Sequence, residues 1–248
     1  GANSNYVGGI SGFNLGLDES SQGNILNNYI INTTIESTGN YIGGLIAYSN
    51  TSSNPVILMN CIKNVEITGN NNVGGFVGYV AGEITIGTNY VSATIQAENS
   101  SVGGIIGKLD NSNMTAVNKT SKIYDNYVAN TDITATSKVG GLIGDITTDL
   151  YLPESFYYGN YVETDLNSED DTTISLGIGG RKNQEQYLRD TYYYKYSTIN
   201  GENPTAQNEA FIPQESYLVE EELKQQSTYT TKLKWSTSDW NFYVLANS

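Results

Sequence analysis

Few side chains in this sequence could carry out chemistry. The chain contains no histidine and a single cysteine, Cys61. Without histidine there can be no Ser-His-Asp triad, no HExxH zinc site and no imidazole general base. One cysteine cannot form an intramolecular disulfide or a CxxC zinc site. The sequence therefore predicts no catalytic residue, no cofactor-binding residue and no metal ligand of these kinds.

Carboxylates are the remaining means of catalysis, because a glycosidase needs only two acidic residues. They occupy non-equivalent positions along the chain, and few basic residues accompany them. An enzyme that uses paired carboxylates on a carbohydrate is therefore the alternative hypothesis, and a chain without enzymatic activity is the first one. The candidate acids are Asp110, Asp125, Asp132 and Asp145.

Charge and hydropathy limit the partners. The formal net charge is −14, so the surface repels polyanions and nucleic acid is not expected to bind. The acidic runs 169–171 and 220–222 lack the alternating spacing of a calcium loop and are interpreted as solvated charge. No apolar run of about 18 residues is present, so the sequence predicts neither a membrane span nor a signal peptide.

A short unit with paired glycines recurs five times. It reads Val-Gly-Gly or Ile-Gly-Gly followed by two further residues, mostly apolar, and the first glycines are separated by 35, 31, 29 and 37 residues. A sixth, altered copy is 175–180, where the glycines occur in a different order. The paired glycines are Gly8 and Gly9, Gly43 and Gly44, Gly74 and Gly75, Gly103 and Gly104, and Gly140 and Gly141.

A second element, Asn-Tyr followed by Ile or Val, lies between successive glycine pairs. In the second copy Cys61 takes the place of the tyrosine, which indicates a packing role for this thiol rather than a reactive one. Each repeat then carries two or three short strands bounded by Gly, Asn and Ser. The tyrosines at the equivalent position are Tyr29, Tyr90, Tyr127 and Tyr161.

A unit of this size cannot bury its apolar face alone, so successive copies must stack, with each strand parallel to its equivalent in the next coil. The fold class predicted is all-β: a right-handed parallel β-solenoid of about five to six coils. The paired glycines are expected at a corner, or where backbones of neighbouring coils approach too closely for a Cβ. A β-propeller is disfavoured because its blades need about 40 to 50 residues.

Two internal apolar ladders follow from the stacking. The residue before each glycine pair forms one ladder, and the residue after each pair forms the other. The first ladder is Val7, Ile42, Val73, Val102 and Val139, and the second is Ile10, Leu45, Phe76, Ile105 and Leu142.

The Val-Gly-Gly-Leu-Ile-Gly signature, together with the Asn-Tyr element, resembles the GLUG repeat of bacterial surface proteins and adhesins. The same repeat occurs in non-catalytic regions of immunoglobulin-A-cleaving peptidases. The resemblance covers residues 6 to about 199 and fits 43–46, 104–107 and 141–144 well, although Ala47 replaces the last glycine of the second copy. It implies location and architecture more than activity.

The pattern changes after Ile199. We expect a domain of GLUG-like repeats over 1–199 and a C-terminal capping segment over 200–248, with a short helix between Gln214 and Gln226. Both tryptophans, Trp235 and Trp240, lie in this segment. They are interpreted as part of the cap, and the alternative is an aromatic platform that contacts a sugar.

These observations predict a non-enzymatic repeat protein that is extracellular or at a bacterial cell surface. It would act as an adhesin or an adhesin stalk and offer an extended surface to a host or matrix protein or glycan. The alternatives are the carbohydrate-active enzyme and a passive spacer of a larger secreted protease. Because the chain starts within a repeat, we expect preceding coils and any signal or anchor to lie outside it.

Overall fold

A computed structural model describes residues 4–14, 23–50, 54–110, 112, 121–147, 157–180, 188–204 and 212–240. Within these residues the chain forms three parallel β-sheets of twelve, five and five strands. Strands of successive coils pair in register with one another, and the result is an all-β solenoid of about five turns. The predicted fold class is confirmed.

One coil visits the three sheets in a fixed order. The third coil leaves the first sheet at Gly74, enters the second sheet at Val77, enters the third at Thr85, and returns to the first at Tyr90. The paired glycines therefore form the corner between the first and second sheets, and the asparagine before Tyr90 forms the corner between the third and first. We call these the glycine corner and the asparagine corner.

The first sheet is the largest. Its strands are Tyr6–Gly8, Tyr29–Glu36, Tyr41–Gly43, Cys61–Gly74, Tyr90–Gly103, Tyr127–Ala135, Ser137–Gly140, Tyr161–Ser168, Ile174–Ser175, Tyr192–Tyr194, Thr198–Ile199 and Tyr217–Leu218. The second sheet contains Ser11–Asn14, Ile46–Ser49, Val77–Ala81, Ile106–Asp110 and Ile143–Thr147. The third contains Ile25–Leu26, Val56–Leu58, Thr85–Gly87, Lys122–Tyr124 and Tyr157–Tyr158.

Both predicted apolar ladders line the interior. In the first, Val73 pairs with Ile42 on one side and with Val102 on the other. In the second, the backbone N–H of Phe76 donates to Ile105 at 3.0 Å, and every member except Ile10 is buried. Ile10 remains 47% exposed because it forms the first rung among the described coils and has a neighbour on one side only. These continuous ladders make one core along the whole stack.

Close approach between coils explains the glycine corner. A Cβ added to Gly104 would overlap the carbonyl oxygen of Gly141 in the next coil, and one added to Gly103 would overlap the carbonyl oxygen of Ile106. None of the ten paired glycines has a φ in the left-handed region. Both reasons that the sequence suggested are therefore correct. The first glycine of each pair faces a carbonyl of its own coil at the corner, and the second glycine has no room for a side chain beside the backbone of the next coil.

The altered sixth copy continues the stack in a different way. Ser175 pairs with Gly140, and the carbonyl of Leu176 lies where a Cβ on Gly141 would be. Ser175 and Leu176 are both fully buried, and Leu176 belongs to the hydrophobic core of the stack.

The asparagine corner is held by a ladder of side-chain amides that the sequence analysis did not predict. The Nδ2 of Asn89 donates to the Oδ1 of Asn126 at 3.0 Å, and Asn126 donates to Asn160 at the same distance. Each amide also donates to backbone carbonyls, as Asn89 does to Gly87 at 2.7 Å. Because Asn89, Asn126 and Asn160 are fully buried, their amides have to find hydrogen-bond partners within the protein. The members are Asn28, Asn60, Asn89, Asn126 and Asn160.

The C-terminal segment both ends the first sheet and covers one side of the solenoid. The strand Tyr217–Leu218 pairs with Tyr192–Tyr194 and supplies the last rung of the sheet. The helix expected between Gln214 and Gln226 is reduced to Glu220–Leu223, with a 3-10 turn at Gln214–Ser216. Pairing with an open strand edge has overridden the weak helical pattern there. A π-helical turn follows at Thr228–Lys232.

Candidate functional site

A group of aromatic rings lies on the outer surface next to the glycine corner. Tyr6 and Tyr41 precede their glycine pairs on the first sheet, while Phe13, Tyr48 and Tyr79 follow theirs on the second sheet. Parallel stacking places equivalent positions above one another, so that Phe13 pairs with Tyr48 and Tyr48 pairs with Tyr79. We call these five residues the aromatic stripe.

The rings of the aromatic stripe form two interlocked columns. Phe13 stacks on Tyr48 with centroids 4.7 Å apart, and Tyr48 stacks on Tyr79 at 5.1 Å. Tyr6 stacks on Tyr41 at 5.1 Å, and Tyr41 meets Tyr48 edge to face at 5.3 Å. Tyr6 and Phe13 are each 41% exposed, so the stripe presents apolar ring surface to solvent. Such rings contact ligands through their faces and edges.

In later coils, charged side chains continue the column that Phe13, Tyr48 and Tyr79 begin on the second sheet. Lys108 pairs in register with Tyr79, and Asp145 pairs with Lys108. The Asp145 carboxylate is buried and lies 2.9 Å from the Nζ of Lys138 and 3.9 Å from that of Lys108. One outer column thus changes from aromatic to ionic along the solenoid. A stacked repeat can vary its outer surface in this way because only inner positions must fit the core.

Asp110 borders the aromatic stripe and is held by hydrogen bonds. The Tyr79 hydroxyl donates to it at 2.7 Å, and the Ser112 hydroxyl donates at 2.6 Å. Burial opposes ionisation of Asp110, but the hydrogen bonds from Ser112 and Tyr79 outweigh it and lower the pKa of this carboxyl. Asp110 is therefore a fixed anion at the edge of the stripe.

The four candidate carboxylates do not form one group. Asp110 and Asp145 lie on the second sheet, and Asp145 is engaged with two lysines. Asp132 lies on the first sheet, and Asp125 lies at the asparagine corner. Burial, with the nearby charge of Asp239, raises the pKa of Asp125 to about 7. Of the four, Asp110 and Asp145 are the two that lie on one sheet, on neighbouring strands with Lys108 beside both.

Asp132 does have two acidic neighbours that the sequence analysis did not connect with it. Asp132 pairs in register with Asp165, and both line a cavity of about 270 Å³ together with Glu163, Tyr194 and Tyr196. Burial raises the pKa of Glu163, and Asp165 adds to this effect. The signal in the sequence was the acid before an apolar residue that follows Tyr127 by five residues and Tyr161 by four. A shift of register after Val128 compensates for the extra residue and places Asp132 and Asp165 on neighbouring rungs.

Trp235 is not available as an open platform for a sugar, whereas Trp240 is partly exposed. Trp235 is 2% exposed, and its indole N–H donates to the carbonyl of Gly159. Trp240 stacks on Trp235 at 4.6 Å and lies edge to face with Tyr127 at 6.4 Å. Both rings thus pack on the side of the solenoid at the asparagine corner. The platform alternative requires a free ring face that Trp235 does not have.

The tyrosines of the Asn-Tyr element form a third outer column, which we call the tyrosine column. It contains Cys61 in the second coil, and its later members, Tyr127 and Tyr161, are buried beneath the C-terminal segment. Tyr127 and Tyr161 stack at 4.8 Å. The full column is Tyr29, Cys61, Tyr90, Tyr127, Tyr161 and Tyr192.

The geometry defines the protein as a parallel β-solenoid with chemically varied outer columns. Comparison with protein-family models, with curated proteins and with solved structures finds no match. In the described part of the chain, no helix is long and apolar enough to cross a membrane. Among the same residues, no three His, Cys, Asp or Glu side chains are grouped so that they could hold a metal ion.

Proposed function

We propose that this solenoid is a non-enzymatic binding module of an extracellular or cell-surface protein, either an adhesin or its stalk. The observation that carries the proposal is the aromatic stripe, because its rings occupy outer positions that the stack does not need for its core. The resemblance of the repeat to the GLUG unit supports the same conclusion. The partner would be a host or matrix protein or a glycan.

The division of labour within each repeat supports this proposal. The glycine pair, the two apolar ladders and the asparagine ladder are buried and hold the coils together. The outer columns differ from coil to coil, from Phe13 through Tyr79 to Asp145. A surface of this kind offers several kinds of contact along one extended face, as repeat proteins that bind partners do.

Binding to glycan and matrix-protein arrays tests the proposal. We expect the parent chain to bind at least one class of glycan or matrix protein. The double variant Phe13→Ser with Tyr48→Ser should lose most of that binding signal. Tyr158→Ser is the matched control, because Tyr158 is a comparably exposed tyrosine (36%) on the third sheet. Absence of binding by the parent chain to either array would favour the passive spacer instead.

A second candidate function is a carbohydrate-active enzyme at the cavity that contains Asp132, Glu163 and Asp165. The observation that favours it is the raised pKa of Glu163 beside two further carboxyls, since a glycosidase needs one protonated and one ionised acid. Hydrolysis of a polysaccharide panel that is lost in Glu163→Gln and in Asp132→Asn would establish this activity. If the parent chain hydrolyses no polysaccharide in the panel, this second candidate function is ruled out.

A further inference from the structure

The rings of the aromatic stripe form one continuous ledge. The two columns meet edge to face, with Tyr6 against Tyr48 at 5.7 Å and Tyr41 against Tyr79 at 5.3 Å. Tyr6 and Phe13 are each 41% exposed, and the other three rings are partly exposed. A ligand that lies along the solenoid axis therefore contacts ring surface over three successive coils.

The ledge also carries hydrogen-bond donors. The Tyr79 hydroxyl donates to Asp110, but within the described part of the chain the hydroxyls of Tyr6, Tyr41 and Tyr48 form no hydrogen bond. Those of Tyr41 and Tyr48 are not buried. Burial, with the nearby tyrosines and Asp110, raises the pKa of Tyr48, so its hydroxyl keeps its proton. These hydroxyls are thus available to a ligand.

The spacing of the rings matches one turn of a polyproline II helix. Rungs of a parallel sheet are about 4.8 Å apart, so Phe13 and Tyr79, two rungs apart, are separated by about 9.6 Å along the solenoid. A polyproline II helix rises about 9.3 Å in each turn of three residues. Residues i and i+3 of such a helix would therefore lie over these two rings, with the residues between them over Tyr48.

The hydrogen-bonding groups are complementary as well. A polyproline II helix has no internal hydrogen bonds, and proline has no N–H, so a proline-rich segment presents carbonyl acceptors and apolar rings but few donors. The hydroxyls of Tyr41 and Tyr48 can supply the donors that such carbonyls need. Surfaces lined by aromatic rings bind such segments well, because the polyproline II helix is already ordered before it binds.

We propose, on the basis of the binding function proposed above, that the partner of the aromatic stripe is a proline-rich segment in the polyproline II conformation. Prolines three residues apart pack on Phe13 and Tyr79, and the hydroxyls of Tyr41 and Tyr48 donate to the carbonyls between them. The apolar contact ends at Lys108, which lies over the Tyr79 ring at 6.0 Å and begins the charged part of the column.

A glycan fits the stripe less well than a proline-rich segment. Sugar hydroxyls need acceptors as well as donors, and the carboxylate that borders the stripe, Asp110, already accepts hydrogen bonds from Tyr79 and Ser112. A sugar that stacks on a ring also needs an open ring face. In the column of Phe13, Tyr48 and Tyr79, neighbouring rings stack on one another and cover the faces between them.

Calorimetric titration of the whole chain with a decaproline peptide tests the proposal. We expect saturable binding at least about tenfold tighter than that of a Gly-Ser peptide of equal length, which is flexible and has no apolar ring. Two further peptides of equal composition carry prolines among alanines, either three or two residues apart. The first should bind more tightly, because only its prolines match the distance between Phe13 and Tyr79.

Two double variants separate the rings from the hydroxyls. Phe13→Ser with Tyr48→Ser removes two rings and should abolish decaproline binding. Tyr41→Phe with Tyr48→Phe keeps every ring but removes both donors, and it should weaken binding about tenfold. Tyr158→Ser, on the third sheet, is the control and should bind as the parent chain does. Circular dichroism confirms that each variant is folded.

The outcomes separate the partner class from the binding function itself. Decaproline binding that persists in Phe13→Ser with Tyr48→Ser, or equal affinity for the two alanine–proline peptides, would overturn the proposal. If the parent chain binds a glycan through the stripe but does not bind decaproline, the partner class is wrong and the binding function stands. A parent chain that binds neither decaproline nor either array would contradict both.

Unchanged affinity in Tyr41→Phe with Tyr48→Phe would show that the hydroxyls do not donate to the ligand, and it would equally overturn the proposal. Loss of decaproline binding in the serine double variant, with weaker binding in the phenylalanine double variant and none of these changes in Tyr158→Ser, would support it.

Discussion

The two repeated corners of each coil solve the same problem in opposite ways. At the glycine corner the backbones of neighbouring coils come so close that side chains have to be absent, as between Gly104 and Gly141. At the asparagine corner a side chain is required, because the buried amides of Asn89 and Asn126 connect successive coils. One corner excludes atoms, and the other depends on a chain of hydrogen bonds. The two corners should therefore fail differently when they are mutated.

The largest effect is expected at the glycine corner. Gly104→Val would drive a branched side chain into the carbonyl of Gly141, which is part of a rigid sheet and cannot move aside. We expect the free energy of unfolding, measured by urea denaturation, to fall by more than about 4 kcal/mol, or the variant not to fold at all. Gly201→Asn is the control, because a Cβ at Gly201 has nothing within 4 Å and asparagine tolerates its φ of 79°. Equal tolerance of both variants would refute the close-approach explanation.

A substitution at the asparagine corner should cause a smaller but still clear loss in the free energy of unfolding. Asn126→Leu keeps the volume of the side chain but removes the acceptor for the backbone N–H and the Nδ2 of Asn89. Leaving buried donors unsatisfied costs about 1–3 kcal/mol each, so we expect a loss of about 2–4 kcal/mol. Asn28→Leu provides the comparison, because this first member of the ladder is partly exposed and water can replace its bonds. Similar losses at both positions would show that burial does not set the cost.

The two corners also differ in how much of them could be predicted from the sequence. The repeated glycine pair pointed to a corner or to close packing of neighbouring coils, because no other residue lacks a Cβ. An asparagine before a strand, such as Asn60 or Asn89, is typical of an ordinary turn. The sequence does not reveal whether its side-chain amide forms hydrogen bonds with water or with the next coil. The C-terminal segment was harder still. Its packing on Tyr127 and Tyr161 depends on contacts between distant parts of the chain, and a weak helical pattern was overridden by pairing at a strand edge.

A titratable group makes the asparagine corner sensitive to pH. Burial and the charge of Asp239 raise the pKa of Asp125 to about 7 in the folded chain, whereas an unfolded chain has an aspartate pKa of about 3.9. Between about pH 4 and pH 7 the folded state therefore binds more protons than the unfolded state. Stability that is present below the unfolded pKa is lost as the pH rises through the folded pKa.

Asp125→Asn tests this dependence by removing the titration. We expect the urea midpoint of the parent chain to fall between about pH 5 and about pH 8, and that of Asp125→Asn to fall less. At about pH 8 the variant should be the more stable of the two, because no charge is then buried. Asp239→Asn should retain part of the effect, since burial, the larger cause, remains. Parallel pH profiles for parent and Asp125→Asn would contradict the assignment.

The smallest expected effect is a gain in stability at the asparagine corner, and it concerns backbone strain. The residue before each ladder asparagine has a left-handed φ, and these residues include Met59 and Thr88 at 57° and 54°. A β-branched residue is rarely found in this conformation, while asparagine adopts it readily, as Asn27 does in the first coil with a φ of 57°. Thr88→Asn should therefore stabilise the chain by about 0.5–1 kcal/mol, measured as a rise in the urea midpoint. A loss of stability would mean that the packing of the buried Thr88 side chain outweighs its backbone strain.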